Sequence, residues 1–264
     1  MQDRYAGDVG DFSKFVLAKA LHRHVGGPLG VLWYLYPSPE ANNDGRHRDY
    51  FGHRNWEGCD EELQSVLHSI AHGDQRCVAN LEASGILPPD TRYFAEPIHR
   101  CVPDRRRHDW FARALQAVQG SRTVFVDPDN GIACPNHNIR ARDGGKHITA
   151  EEIRHLAANH PCLAIYHHFD RSAKHDMQIA RKLTQLSHLV PGRTVQALRY
   201  KRISPRAYFL VSDADATACV ARVCAELTTG PGERHFTHYP PDFANATNSS
   251  TDVSARQIHE SHAP

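Results

Sequence analysis

The sequence has little net charge, no CxxC motif and no long apolar segment. Its 31 lysines and arginines nearly balance its 30 acidic residues, leaving a net charge of +1. A general affinity for polyanions is therefore not indicated, although a local basic face stays compatible with nucleic-acid binding. The seven cysteines are scattered along the chain, which argues against a disulfide framework or a structural zinc site.

The N-terminal residues, MQDRYAGDVGDF, lack the basic start and the apolar run of a signal peptide. No apolar stretch approaches the roughly 18 residues of a membrane span. We therefore expect a cytoplasmic protein without membrane contact. The length predicts a single domain over residues 1–242. Residues 243–264 are rich in Pro, Ser, Thr and Asn and poor in aliphatic side chains, which predicts a poorly ordered tail.

Strands are predicted where short runs of β-branched and aromatic residues occur. Four strong runs span residues 30–36, 123–126, 162–166 and 207–211, and two weaker runs span 93–98 and 194–200. The strong runs are almost continuously apolar, which suits a sheet covered on both faces.

Helical spacing of apolar residues fills segments between these runs, at 12–24, 61–70, 107–118 and 149–158. The last segment begins with a capping-box pattern, Thr149 followed by Glu152. A helical insert is expected at about 57–90. The alternation predicts an α/β fold with a doubly wound, mostly parallel sheet. Residues 201–206 are too few for a crossover helix, so the last two strands should form an antiparallel hairpin that ends the sheet, as in Rossmann-like methyltransferases.

Polar residues follow the strand at 123–126 directly. Asp127, Asp129 and Asn130 stand at its carboxyl end, which is where ligands bind in open α/β sheets. We assign catalytic roles to these three residues. A tight turn capped by Asp127, with Gly131 at positive φ, is the alternative. A carboxylate in this position should be near solvent, so Asp127→Asn is expected to cost about 1 kcal/mol or less.

Two adjacent histidines end the run at 162–166. Strand alternation sends His167 and His168 to opposite sides, so one of them is expected in the cleft of Asp127. We assign His167 as a candidate general base. A hydrogen-bonded histidine with a structural role is the alternative.

The segment from Tyr5 to Lys14 carries a further motif. It resembles the opening of the bacterial ribosomal RNA adenine-N6 methyltransferases of the RlmJ type, and the order of elements is also similar. The matching positions are Ala6, Gly7, Asp11 and Lys14. Asp127 and Pro128 match the first half of that family's Asp-Pro-Pro-Tyr motif. The resemblance implies a Rossmann-like fold, S-adenosylmethionine as cofactor, and an amino group of a nucleic acid or nucleotide as methyl acceptor, held by Asp127.

On this resemblance, cofactor binding is assigned to six residues: Asp11, Lys14, Asn43, Asp44, Gly45 and Glu96. The sequence departs from the family at two places. Asp129 and Asn130 replace the second Pro and the Tyr of the motif. The loop after the first strand contains Gly45 where the family has a Gly-rich turn.

The same carboxylates permit a different chemistry. Glu96, Asp127 and Asp129 resemble the carboxylates of a Toprim-type nuclease or primase, and oxygen ligands of this kind suit Mg²⁺ in phosphoryl transfer. Candidates for phosphate contact are then Lys146, Arg171 and Lys174. A third hypothesis is a catalytically silent binding protein with a methyltransferase fold. The sequence leaves all three hypotheses open.

Overall fold

A computed structural model describes residues 1–37, 45–74, 76–98, 104–141 and 143–244 of the protein. Within these ranges the α-helices are α1 (Val9–Val25), α2 (Glu61–His72), α3 (Val78–Ala83), α4 (Asp104–Ala117), α5 (Ala150–Asn159), α6 (His175–Leu189) and α7 (Ala214–Leu227). The strands are β1 (Leu29–Trp33), β2 (Arg92–Phe94), β3 (Thr123–Asp127), β4 (Gly131–Ile132), β5 (His147–Ile148), β6 (Cys162–His168), β7 (Thr194–Tyr200), β8 (Arg206–Ser212) and β9 (Phe236–Tyr239).

Seven of these strands form one sheet, in the order β2-β1-β3-β6-β8-β7-β9. β1 pairs in parallel with β2 and β3, and β3 pairs in parallel with β6. β8 is antiparallel to both β6 and β7, and β9 is antiparallel to β7. The short strands β4 and β5 pair separately. The protein is therefore α/β with a mostly parallel central sheet, compatible with a Rossmann-like fold.

Helices cover both faces of the sheet. Alternation along β1 sends Val31 into a core with α1 and α7, and Leu32 into a second core with α4, α5 and α6. The predicted capping box of α5 is confirmed, since Thr149 Oγ1 accepts from the Glu152 amide and Glu152 Oε2 accepts from the Thr149 amide. In the described ranges, no helix is long and apolar enough to cross a membrane.

All six predicted strands lie in the central sheet; the bounds of the run 194–200 are those of β7, and the other five are shifted. β1 ends at Trp33 rather than at Tyr36, because the next backbone groups bond to the first residue of the chain. The Met1 ammonium donates to the Tyr34 carbonyl at 2.9 Å, and the Tyr36 amide donates to the Met1 carbonyl at 2.9 Å. β9 extends the sheet beyond β7, so an edge strand that the sequence analysis does not predict follows the β7–β8 pair.

The predicted tail lies mostly outside the described residues, which end at 244. Its first two residues belong to the packed structure. The Phe243 ring meets Tyr239 of β9 edge to face, and Ala244 is 6% exposed.

Candidate functional site

The carboxyl ends of three parallel strands meet the beginning of β8 at one edge of the sheet. Trp33 at the end of β1 is in register with Asp127 at the end of β3, and His168 at the end of β6 is in register with Arg206 at the start of β8. The chain leaves β1 for β2 on one side and returns to β3 on the other. A crevice between β1 and β3 is the expected ligand position for this strand order.

A cleft of about 430 Å³ opens at this edge. Its walls come from the N-terminal residues, the beginning of α1, the residues after β3, and the ends of β6 and β8. The side chains and backbone that line it are polar for the most part: Met1, Gln2, Arg4, Tyr5, Asp8, Val9, Lys14, Gly45, Arg46, His47, Asp127, Asp129, Asn130, Lys146, Tyr166, His168, Ser204 and Arg206.

Asp127 is buried and paired, which corrects the expectation of a carboxylate near solvent. It is 1% exposed, and its Oδ2 accepts a hydrogen bond from Lys14 Nζ at 2.8 Å. Lys14 Nζ also lies 3.1 Å from Asp11 Oδ1. Burial alone would lower the pKa of Lys14, but Asp127 and Asp11 raise it well above the ordinary value. The amine is therefore an ammonium group that contacts both acids.

The beginning of α1 places Lys14 and Asp11 in this cluster. Asp8 caps the helix, accepting from the Gly10 and Asp11 amides, and the Gly7 amide donates to Asp11 Oδ2 at 2.9 Å. Asp11 itself is fully buried behind Lys14 and does not line the cleft. Burial raises the pKa of Asp11 to about 6, although Lys14 opposes the shift.

Asp129 is held by a different set of partners. Its Oδ2 accepts from Gln2 Nε2 at 2.7 Å and lies 3.6 Å from Lys146 Nζ, while Oδ1 lies 3.7 Å from the Met1 ammonium. Burial by itself would raise the pKa of Asp129. The Met1 ammonium, the Gln2 amide and Lys146 outweigh burial and hold this pKa below its ordinary value, so the carboxylate is ionised.

The structure separates the two histidines at the end of β6. His167 is buried, and its Nδ1 accepts a hydrogen bond from the Ile132 amide at 3.0 Å. Burial lowers the pKa of His167 to about 3, so the ring is neutral. The cleft is lined by His168 and by Asn130 instead. His167, our candidate general base, thus occupies the position of a structural histidine.

Only some of the residues assigned to cofactor binding line the cleft. Lys14 and Gly45 line the cleft. Glu96 does not, because its carboxylate pairs with Arg113 on α4 and borders a separate hollow. Asn43 and Asp44 lie outside the described residues.

The carboxylates do not assemble as a Toprim-type set. Glu96 is apart from Asp127 and Asp129, which each contact an ammonium group. In the described part of the chain, no group of three or more His, Cys, Asp or Glu residues could hold a metal ion. Of the basic residues proposed for phosphate contact, Lys146 lines the cleft and Arg171 and Lys174 do not.

Several cleft residues are absent from the sequence-based assignment, chief among them Arg206 and Tyr166. A signal for Arg206 was available. A strand predicted to run antiparallel begins at the same edge where its parallel neighbours end, so the residue immediately before the run 207–211 belongs at the same sheet edge as Asp127. Gln2, which holds Asp129, carries no comparable signal.

Comparison with known proteins identifies no relative from which the roles of the cleft residues could be inferred. No family model matches the chain. Neither a curated protein nor a solved structure gives a significant match. The arrangement itself combines a carboxylate at a strand's end with a polar cleft of small-molecule size and several cations. It is suited to hold a polar ligand that has both hydrogen-bond donors and negative charge.

Proposed function

We propose that the protein is an S-adenosylmethionine-dependent methyltransferase that acts on an amino group of a nucleic acid or nucleotide. The proposal depends mainly on how the two carboxylate oxygens of Asp127 are hydrogen-bonded. Lys14 holds its Oδ2, whereas Oδ1 accepts no hydrogen bond from the described residues, and the side chain lines the cleft. A carboxylate oxygen in this position can accept hydrogen bonds from an amino group and orient its nitrogen.

The fold supports the proposal. In the Rossmann-like methyltransferases a mostly parallel sheet finishes with an antiparallel hairpin, and here β8 lies antiparallel between β6 and β7. β9 is an addition to that pattern. The cleft also lies where the strand order reverses, between β1 and β3.

The cleft fits the cofactor in size and in chemistry. Its volume of about 430 Å³ is within the usual range for small-molecule sites. Lys14 and Gly45 are the cleft residues that correspond to the resemblance-based cofactor set, and Arg206 supplies hydrogen-bond donors for a carboxylate. When bound, S-adenosylmethionine would supply the methyl group.

The Asp-Pro motif of this chain lacks the aromatic ring that stacks on the base in the RlmJ-type family. Tyr5 and Tyr166 are the phenol rings among the described lining residues. Tyr166 already lies over Lys14 Nζ, with 5.3 Å between the ring centroid and the nitrogen. The Arg4 guanidinium carbon lies 5.8 Å from the Tyr5 ring centroid, so each of these two phenol rings already contacts a cation.

Calorimetry and a transfer assay test the proposal together. Titration with S-adenosylmethionine should give saturable heat, and Mg²⁺ alone should give none. Methyl transfer from labelled cofactor should then be measured on total RNA and on nucleotides, with Asp127→Asn as the inactive variant. Binding without transfer would favour the silent binding protein. A response to Mg²⁺ without one to the cofactor would reverse the ranking in favour of a phosphodiesterase.

A further inference from the structure

Arg206 is a buried cation that forms no salt bridge with the described residues. The residue is 6% exposed, and its Nε donates to the Ser204 carbonyl at 2.9 Å. The terminal nitrogens Nη1 and Nη2 have no acceptor among the described residues. The guanidinium carbon lies 5.8 Å from the Tyr166 ring centroid and 6.0 Å from that of Tyr200. These aromatic faces attract the cation but leave its terminal donors unsatisfied.

The other buried basic side chains among the described residues are paired. Lys14 contacts Asp127 and Asp11. Arg107, which is 4% exposed, donates from Nε and Nη2 to the two carboxylate oxygens of Glu152 at 2.6 and 2.9 Å. Burying a charge is costly unless a counter-charge or hydrogen bonds compensate. Arg206 is the exception in the described ranges, and it is the one that lines the cleft with its terminal donors unsatisfied.

The carboxylates of the cleft form no salt bridge with Arg206, although the charge of Asp8 attracts the guanidinium. Asp8 accepts from amides at the start of α1, Asp127 pairs with Lys14, and Asp129 is held by Gln2 and Lys146. The lining contains two further basic side chains, Arg4 and Arg46. The cleft therefore has an excess of positive charge at the sheet edge that contains Asp127.

The position of the guanidinium is constrained from two sides. The loop before β8 includes Ile203, a β-branched residue at φ 57°; such a residue rarely adopts this conformation. The next residue in that loop, Ser204, supplies the carbonyl that holds Nε. On the other side, a Cβ atom added to Gly10 of α1 would lie 1.9 Å from Nη1. Only glycine at this position allows the guanidinium to lie against the helix.

We propose that Arg206 binds an anionic oxygen group of the ligand, a carboxylate or a phosphate, whose two oxygens accept from the guanidinium fork. This inference deepens the proposed function, on which it rests for the identity of the two ligands. The group has two possible sources in that function. One is the carboxylate of S-adenosylmethionine, and the other is a phosphate of the nucleotide or nucleic-acid substrate. A planar fork of donors matches both groups.

Two ligand pairs distinguish the sources. Calorimetry compares S-adenosylmethionine with its decarboxylated form, and AMP with adenosine. If Arg206 binds the cofactor carboxylate, the first pair should differ by about ten- to hundredfold in affinity, the usual effect of charge-assisted hydrogen bonds. If it binds phosphate, the second pair should differ by a similar factor.

Variants test whether Arg206 itself causes the higher affinity for the ligand that has the anionic group. Arg206→Met should abolish the difference within the responding pair, and Arg206→Lys should restore only part of it, because an ammonium group lacks the fork. Gly10→Ala keeps the charge but displaces the guanidinium, so it should reduce the preference while the helix remains folded. Arg23→Gln is the external control, since Arg23 is exposed on α1 and pairs with Glu226.

The melting temperature separates a ligand-binding role from a structural one. Without ligand, Arg206→Met should melt no lower than the unaltered protein, because it removes a buried charge that forms no salt bridge. A large fall would indicate a structural cation and contradict the proposal. Arg46→Gln removes the same charge from the exposed part of the cleft. An equal loss of preference in that variant would show diffuse attraction instead of a site at Arg206.

The proposed function and this inference can fail separately. Binding of S-adenosylmethionine without any charge preference in either pair would overturn the anion site and leave the transferase standing. A preference for AMP over adenosine that depends on Arg206, with no cofactor binding, would overturn the transferase and support the anion site.

Discussion

Lys14 Nζ lies 2.8 Å from Asp127 Oδ2, although the two residues are 113 positions apart in the sequence. The contact joins the second turn of α1 to the end of β3. It gives the buried carboxylate a counter-charge and engages one of its two oxygens. The candidate catalytic group is therefore part of a buried charge cluster, and substitutions there affect both stability and chemistry.

Asp127→Asn should abolish methyl transfer and also destabilise the fold. Loss of one partner of a buried ion pair costs about 3 kcal/mol or more. We expect the lower end of that range, because Asp11 still faces the ammonium. This exceeds the 1 kcal/mol or less predicted from the sequence, since Asp127 is buried. Denaturant unfolding and the transfer assay check the two effects. Unchanged turnover in a folded variant would refute the assignment of Asp127.

Asp129→Ala should lower the melting temperature but reduce methyl transfer less than Asp127→Asn does. Asp129 compensates the Met1 ammonium and Lys146, so its removal leaves two cations without their carboxylate. Its oxygens are already engaged, which makes a direct role with the acceptor unnecessary. We expect a loss of roughly tenfold for Asp129→Ala against about a hundredfold or more for Asp127→Asn. Equal, complete losses would favour the metal hypothesis.

Asp11 should make the protein less stable as the pH rises above its unfolded-state pKa. Its folded pKa is raised from 3.8 to about 6, so the folded state binds the proton more tightly than the unfolded state. The stabilisation is present below pH 4 and is lost as the pH rises through 6. The difference in unfolding free energy between the unaltered protein and Asp11→Asn should decline over this window. The exposed Asp49, replaced by Asn, is the control; a flat difference for Asp11 would contradict the assignment.

His167 should make the protein less stable as the pH falls, which is the opposite of the effect of Asp11. Its folded pKa is lowered from 6.5 to about 3, so the unfolded state binds the proton more tightly. The stabilisation is present above pH 6.5 and is lost as the pH falls toward 3, with a slope of up to about 1.4 kcal/mol per pH unit. His167→Asn keeps an acceptor for the Ile132 amide and should reduce this slope. An equal reduction in the exposed His188→Asn variant would count against the prediction.

The sequence alone determined most of the helices and strands and the α/β class of the fold. Short apolar runs predicted six of the seven strands that pair in the central sheet, and the capping box of Thr149 and Glu152 marked the start of α5. Asp127, Asp129 and Asn130 were predictable as cleft residues because a polar segment that follows a buried parallel strand emerges at the ligand-binding edge. These features depend on residues that are neighbours in the chain, so local periodicity is sufficient to predict them.

The tertiary structure alone decided which side chains meet. Strand alternation placed His167 and His168 on opposite sides but could not show that His168 faces the cleft. The pairing of Glu96 with Arg113, away from Asp127, depends on where α4 packs against the sheet. The contact between the Arg206 guanidinium and Gly10 depends on the approach of α1 to β8. Contacts of this kind join residues far apart in sequence, and they follow from strand order and helix packing, which local periodicity does not encode.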